Sequence, residues 1–343
     1  MPNLSREIMT DRIFRPIPIL ITLIFAMNIL GISAMAAELP DGQVRIDVGG
    51  FKLNSVLVGA TRKADLPPIV FIHGASTSLY DPMLSFREKL EGRAELLFLD
   101  RPGHGRSDSG GRENILPDGQ ADAIARLMEK RGIRKAIIVG HSFGGAIAAA
   151  LAVRHPEMVV GLVFLSPAVY PWPGGVAWYY QAARVPITGQ LFSALIAPPL
   201  GLLAIDRATK EVFAPNSPPP DYIEKIKALQ ALRPAAFRHN AQEIAALSNW
   251  ARIASRRYHE IKAPTVIITG DADEIVSPDV HARHLARDIG GAELLVVHNL
   301  GHKSDYIASD LAIAAIEKLA GKSRDLESKA RALERWIAGD TRD

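Results

Sequence analysis

The residues of this chain best suited to covalent chemistry come late and in a fixed order: Ser142, an acidic cluster at 271–274, and His302. A serine hydroxyl is a poor nucleophile at neutral pH. It needs a base to take its proton, and the base needs an acid to orient it. Ser142 lies in Gly140-His141-Ser142-Phe143-Gly144, a G-x-S-x-G pattern. The apolar run Ala136 to Val139 before it reads as a buried strand, and Ala146 to Ala152 after it is a run of helix formers. A strand, a sharp turn and a helix in that order form a nucleophile elbow. The glycines let strand and helix pass closely while the serine takes a strained backbone. The helix N-terminus puts amide N–H groups where negative charge would develop.

After an elbow the partners are expected in the order acid, then histidine. The chain offers Gly270-Asp-Ala-Asp-Glu-Ile-Val-Ser-Pro278 after one late strand and Asn299-Leu-Gly-His-Lys303 after the next. His302, at a glycine-containing strand end, is placed to reach Ser142. Asp273 is the preferred acid from its place in the loop, with Asp271 and Glu274 as competitors. Other candidates are weaker. His281 and His284 share an expected helix with Asp279 and Asp288, but an i, i+3 pair without a third ligand is no zinc site and reads as a solvated face. A loop separates His298 from His302, which argues against a shared metal. His141 and His104 read as packing and turn-stabilising residues. Trp172, Trp178, Tyr179, Tyr180 and Phe192 either line an acyl pocket or form the core of their own segment. No metal or organic cofactor is called for.

The elements that must position these groups follow from periodicity. Val44–Val48 and Phe51–Val58 flank Gly49-Gly50, a hairpin signal. Ile69–Ile72, Glu95–Leu99, the elbow strand, Val159–Leu165, Thr265–Thr269 and Leu294–Val297 are further strands, with helices expected near 118–131 and 278–288. Alternating strands and helices predict an α/β fold with a mostly parallel sheet covered on both faces. Ligands then bind beyond the carboxyl ends of the strands, where the Gly, His, Asp and Ser turns lie. From 167 to 263 the alternation stops. Prolines and aromatics dominate, and this stretch reads as a helical lid inserted after the sixth strand. Ile187 to Leu203 is apolar enough to raise a membrane segment, but Gly189, Gln190 and Pro198-Pro199 favour a lid helix. Residues 43–166 and 264–321 form the expected core. The charged tail 322–343 carries Leu326, Ala330, Leu333 and Ile337 at helical spacing, as in a surface helix packed on the body.

Composition bounds the rest. Lys and Arg number 40 against 37 Asp and Glu, for a net charge of +3. The two signs are mixed along the chain, so no nucleic-acid footprint appears. The absence of cysteine removes disulfides, thiolate catalysis and cysteine-bound zinc. Residues 1–36 hold Arg6, Arg12 and Arg15, an apolar run Ile17–Ile32 and the small-residue site Ala34-Met35-Ala36. That is a secretory signal peptide cut after Ala36, or an uncleaved anchor through residues 17–32. Either places the folded part outside the cytoplasmic membrane, periplasmic or secreted.

His73-Gly-Ala-Ser76, Asp100-Arg-Pro-Gly-His-Gly-Arg-Ser107, Gly140–Gly145, Gly270–Pro278 and Gly301-His302 together resemble the α/β-hydrolase superfamily. They are most similar to its lid-bearing branch of serine esterases, carbon–carbon bond hydrolases and cofactor-free haloperoxidases. The resemblance implies a Ser142–His302–Asp273 triad and an oxyanion hole from the backbone N–H groups of Ala75 and Phe143. It also implies that the turn at 100–107 is structural. Serine at 142, where haloalkane dehalogenases and epoxide hydrolases of the superfamily carry aspartate, disfavours those two reactions. The expected function is hydrolysis of an ester of a small or medium apolar acid. Thioester, amide, lactone and carbon–carbon cleavage use the same triad, and a non-catalytic ligand-binding module is the alternative from another class.

Overall fold

The computed structural model describes residues 42–173 and 175–340. The leader or anchor expected over residues 1–36 lies outside them. Eight strands form one sheet in the order β1-β2-β4-β3-β5-β6-β7-β8. These are β1 Gln43–Asp47, β2 Lys52–Val58, β3 Ile69–Ile72, β4 Leu96–Leu99, β5 Ala136–His141, β6 Val159–Leu165, β7 Thr265–Gly270 and β8 Glu293–Val297. The β1–β2 hairpin and the β2–β4 pair are antiparallel, and all later pairs are parallel.

Because side chains alternate across a strand, each central strand feeds two cores. Val70, Ile72, Ile138, Leu162, Phe164 and Ile267 face one layer. That layer is covered by α2 (Pro117–Lys130), α3 (Phe143–Arg154) and α7 (Ala282–Asp288). Ile69, Phe71, Ile137, Val139, Val163 and Ile268 face the other. There the cover is α1 (Tyr80–Leu90), α8 (Ser309–Leu319) and α9 (Leu326–Asp340). α3 is apolar all round and buried, as a helix wedged between sheet and neighbours must be. The tail helix α9 buries Leu326, Ala330 and Ile337 against the body. α1 and α8 were not anticipated from periodicity.

Between Leu165 and Thr265 the described residues form helices and irregular backbone only, with α4 (Trp178–Arg184), α5 (Thr188–Phe213) and α6 (Pro234–Ala254). α5 contains a π-helical segment at Phe192–Ile196, just before Pro198-Pro199. By length and composition it is the one helix among the described residues that could cross a membrane, and only 17% of its most apolar window is buried. One expectation needs correction. The helix near 278–288 begins at Ala282, and His281 is buried rather than on a solvated face. Its Nδ1 accepts the amides of Val169 and Tyr170, so the ring is held inward as a neutral acceptor. Burial pushes its pKa down to about 4.

Candidate active site

Ser142 sits between β5 and α3 with φ +53° and ψ −117°, outside the region L-residues prefer. The glycines on either side make this turn possible. A Cβ on Gly144 would lie 2.1 Å from the Ile72 carbonyl oxygen, and one on Gly140 would lie 2.5 Å from that of Gly144. Strand and helix therefore cross at a distance no other residue allows. The Ser142 amide donates to Leu165 O at 3.0 Å, which ties the turn to the neighbouring strand.

The loops after β7 and β8 bring the other two groups to Ser142. His302 Nε2 lies 3.0 Å from Ser142 Oγ, and His302 Nδ1 lies 2.8 Å from Asp273 Oδ2. With the proton on Nδ1 donated to Asp273, Nε2 is free to accept the serine O–H. Asp273 Oδ1 accepts the amides of Ile275 and Val276 at 3.0 and 2.8 Å. Burial would raise this carboxyl, but the His302 charge and hydrogen bond, with the two amides, outweigh it. The carboxyl stays below its ordinary range. Ser142, Asp273 and His302 are all buried. The competing acids are elsewhere: Asp271 bonds His298 Nδ1 at 2.7 Å on the surface, and Glu274 is exposed.

His302 is held from behind as well. The His141 Nε2–H donates to the His302 carbonyl at 3.0 Å. The adjacent Lys303 is buried and paired with Asp81 at 2.8 Å and Asp305 at 2.9 Å. Tyr222, from the segment between β6 and β7, donates to Asp81 at 2.7 Å. Burial holds His141 well below its usual pKa, and Lys303 nearby adds to the effect, so its ring is neutral.

A second buried group supports the backbone at 74–75. The Gly74 carbonyl accepts Arg101 Nη2 at 3.1 Å and the His73 Nδ1–H at 2.8 Å. His73 Nε2 in turn accepts the Arg101 amide at 3.1 Å, which selects one neutral tautomer. Gly74 O and the Ala75 N–H belong to one planar trans peptide and point in opposite directions. Fixing the carbonyl therefore fixes the amide. Neither the Ala75 nor the Phe143 amide has a hydrogen-bond acceptor among the described residues. Gly74 lies against the serine: a Cβ there would be 3.3 Å from Ser142 Cβ. Arg101 also covers the Phe143 ring at 4.5 Å and pairs with Glu243 of α6 at 3.2 Å, both side chains fully buried. Glu243 further accepts from His104 Nε2 at 2.7 Å. Asp100, in the same turn, accepts the Leu79 and Arg106 amides and Asn54, a structural role.

The aromatic residues do not form one wall. Trp172 packs against His281, with ring centroids 5.9 Å apart. Trp178, Tyr179 and Phe192 cluster with one another, and Trp178 is 66% exposed. Tyr180, which is tied to the 74–76 loop, places its hydroxyl 3.3 Å from Ser76 Oγ. Among the described residues no group of three or more His, Cys, Asp or Glu side chains is arranged to hold a metal ion.

The family profile described as alpha/beta hydrolase fold matches residues 67–304, which include the elbow, the turn at 100–107 and both late loops. The chain belongs to the α/β-hydrolase fold family. Among relatives, this α/β-hydrolase is 25% identical over 283 residues to 2-(acetamidomethylene)succinate hydrolase of Mesorhizobium japonicum, covering 79% of this chain and 92% of that one. It is 35% identical over 121 residues to the dihydrolipoyllysine-residue acetyltransferase component of the acetoin cleaving system of Cupriavidus necator. That match spans only 31% of the relative's length. The enol-lactonase of Burkholderia xenovorans LB400 superposes with a TM-score of 0.63 at 20% identity, covering 81% of this chain and all of the other. The comparison that covers most of both sequences is thus with a hydrolase. Arg101 stood within the family turn, but its partner Glu243 had no signal in a stretch without strand periodicity.

Proposed function

We propose that this α/β-hydrolase is a serine hydrolase that cleaves an ester or related acyl bond of a small or medium apolar substrate. The observation that carries the reading is the continuous hydrogen-bond chain from Ser142 through His302 to Asp273. His302 Nε2 takes the proton from Ser142 Oγ as that oxygen attacks the carbonyl carbon. Asp273 orients the ring and stabilises the imidazolium that forms. The amides of Ala75 and Phe143 receive the oxyanion, each such donor contributing roughly 3 kcal/mol to the transition state. His302 returns the proton to the leaving group, and water activated by the same base hydrolyses the acyl-enzyme. The helical stretch 167–263 serves as the lid, and residues 1–36 export or anchor the chain.

The test is labelling of the full chain with a fluorophosphonate, with the adduct located by peptide mass. A rapid adduct on Ser142 that disappears in His302→Ala is the expected result. A folded protein with no adduct would overturn the reading in favour of a ligand-binding module.

A further inference from the structure

The outer surface of the segment between β6 and β7 is the least water-compatible part of the described molecule. From Val185 to Ile205 there is no Asp, Glu, Lys, Arg or His. Ile187 is 74% exposed, Leu191 58%, Leu202 53% and Leu203 85%, with Leu195, Ile196 and Leu200 also in solvent. A shallow groove lined by Val185, Leu191, Phe192, Leu195 and Ile196 runs along it. Continuous exposed apolar surface of this kind marks an interaction site.

We infer that this ridge is an interfacial docking surface that lies on a lipid bilayer. Three observations select lipid over another occupant. The exposed aliphatic side chains are spread around α5 instead of forming one flat face, which suits a fluid apolar phase better than a shaped protein partner. The ends carry the residue types that favour the headgroup layer: Trp178, Tyr179 and Arg184 before the ridge and Lys210 after it. Finally, the chain upstream of Gly42 contains the apolar run Ile17–Ile32, separated from Gly42 by about nine residues, at most ~35 Å of extended chain. If that run is kept as an anchor, the folded body stays within reach of the bilayer.

α5 lies on the membrane in this arrangement and does not cross it. Gly189, Ser193, Ala197 and Phe213 are buried on its inner side, so one side of the helix belongs to the protein. The ridge is also connected to the candidate site. α4 leads into it and carries Tyr180, whose hydroxyl meets Ser76 beside Ala75, and Asn240 of α6 bonds both the amide and the hydroxyl of Ser76. A bilayer under the ridge would deliver a membrane-dissolved acyl ester toward Ser142. That delivery rests on the acyl-transfer reading above, whereas the docking does not.

The lack of native cysteine gives a direct test. Leu195→Cys and Leu203→Cys in the full chain, each labelled with a nitrobenzoxadiazole fluorophore, are mixed with phosphatidylcholine–phosphatidylglycerol vesicles. The expected result is a blue shift at both positions, quenched by lipids with nitroxide-labelled acyl chains. Lys63→Cys is the control: it follows β2, at the amino ends of the parallel strands, away from Ser142, and should not shift. Leu191→Asp with Leu202→Asp should abolish the shift and lower turnover of a vesicle-dissolved, medium-chain p-nitrophenyl ester about tenfold or more, since two apolar side chains no longer leave water. It should leave hydrolysis of soluble p-nitrophenyl acetate intact. Labels that stay wet while the protein floats with vesicles would overturn the docking, because only the upstream run would then be bound. A shift without vesicles would also overturn it, pointing to a second copy if concentration-dependent and to residues 17–32 if not. Buried labels with neither ester cleaved would uphold docking and defeat the acyl-transfer reading instead.

Discussion

The sharpest consequence of the buried Arg101–Glu243 pair is that stability and catalysis should separate when it is changed in two ways. In Glu243→Ala, the fully buried Arg101 guanidinium loses its counter-charge and is left with neutral partners: Gln120 Oε1 at 2.9 Å, His104 Nε2 at 3.0 Å, the Gly74 carbonyl and the Phe143 ring. Breaking one partner of a buried pair costs about 3–5 kcal/mol. For a domain of this size that lowers Tm by on the order of 10 °C. Arg101→Met with Glu243→Leu removes both charges together, which avoids the cost of an unpaired buried cation and leaves the neutral His104 and Gln120 without their bonds to Glu243. Yet this variant still lacks the guanidinium that holds Gly74 O, so the Ala75 amide loses one of its two restraints. Losing the alignment of one oxyanion donor costs up to ~10²–10³ in kcat. We therefore expect the double variant to melt above Glu243→Ala, to bind substrate with an unchanged KM, and to have kcat lowered by at least tenfold. Calorimetry and steady-state hydrolysis of a p-nitrophenyl ester read the two quantities separately. A stable double variant with wild-type kcat would refute the coupling between Arg101 and the 74–75 peptide. One no more stable than Glu243→Ala would refute the view that the pair acts at the site more than in the core.

Other consequences follow from the same geometry. Ser142→Ala should abolish fluorophosphonate labelling and leave the far-ultraviolet circular dichroism spectrum unchanged. Asp273→Asn should lower kcat roughly 10³–10⁴-fold, because the amide N–H donates to His302 Nδ1 and puts the ring proton on Nε2, where it can no longer take the Ser142 proton. Lys303→Met leaves Asp81 and Asp305 buried without their cation, and should lower stability by about 3–5 kcal/mol in denaturant titration. Acid should destabilise the fold early. His104 and His281 are each pushed down to about 4 by burial, so between pH 6.5 and about 4 the unfolded chain binds protons that the folded chain does not. Their contribution is complete above pH 6.5 and is lost as the pH falls toward 4. The slope is up to about 1.4 kcal/mol per pH unit for each group, and His104→Gln should flatten the Tm–pH curve in that window.

How far the sequence could be read depended on whether a residue's task was local. The elbow is local: Gly140, Ser142 and Gly144 meet steric demands within five residues, and the flanking strand and helix are written in adjacent runs. Asp273 and His302 are nearly so, since each sits in a short loop after a recognisable strand. Even there, Asp271 and Asp273 were separated only by three dimensions. One turns outward to His298 and the other inward to His302, a choice two residues of loop leave almost symmetric. α1 and α8 were missed because their polar residues are tied up in tertiary pairs. Asp81 and Ser309 are buried against Lys303 and Lys89, so neither helix shows a clean amphipathic stripe.

The residues that stayed hidden act across long separations. Glu243 is 142 positions from Arg101 and comes from a helix whose sequence shows only an ordinary polar residue. A carboxylate in such a helix is normally solvated, and nothing local marks it as one that loses its water completely. The mark exists only on the partner's side, where an arginine in a glycine-rich turn must be buried against a backbone carbonyl and therefore needs a counter-charge from somewhere. A buried cation inferred from one segment thus predicts an anion elsewhere in the chain. Here Glu243 of α6 supplies it, so the segment between β6 and β7 takes part, through Arg101, in holding the peptide at 74–75.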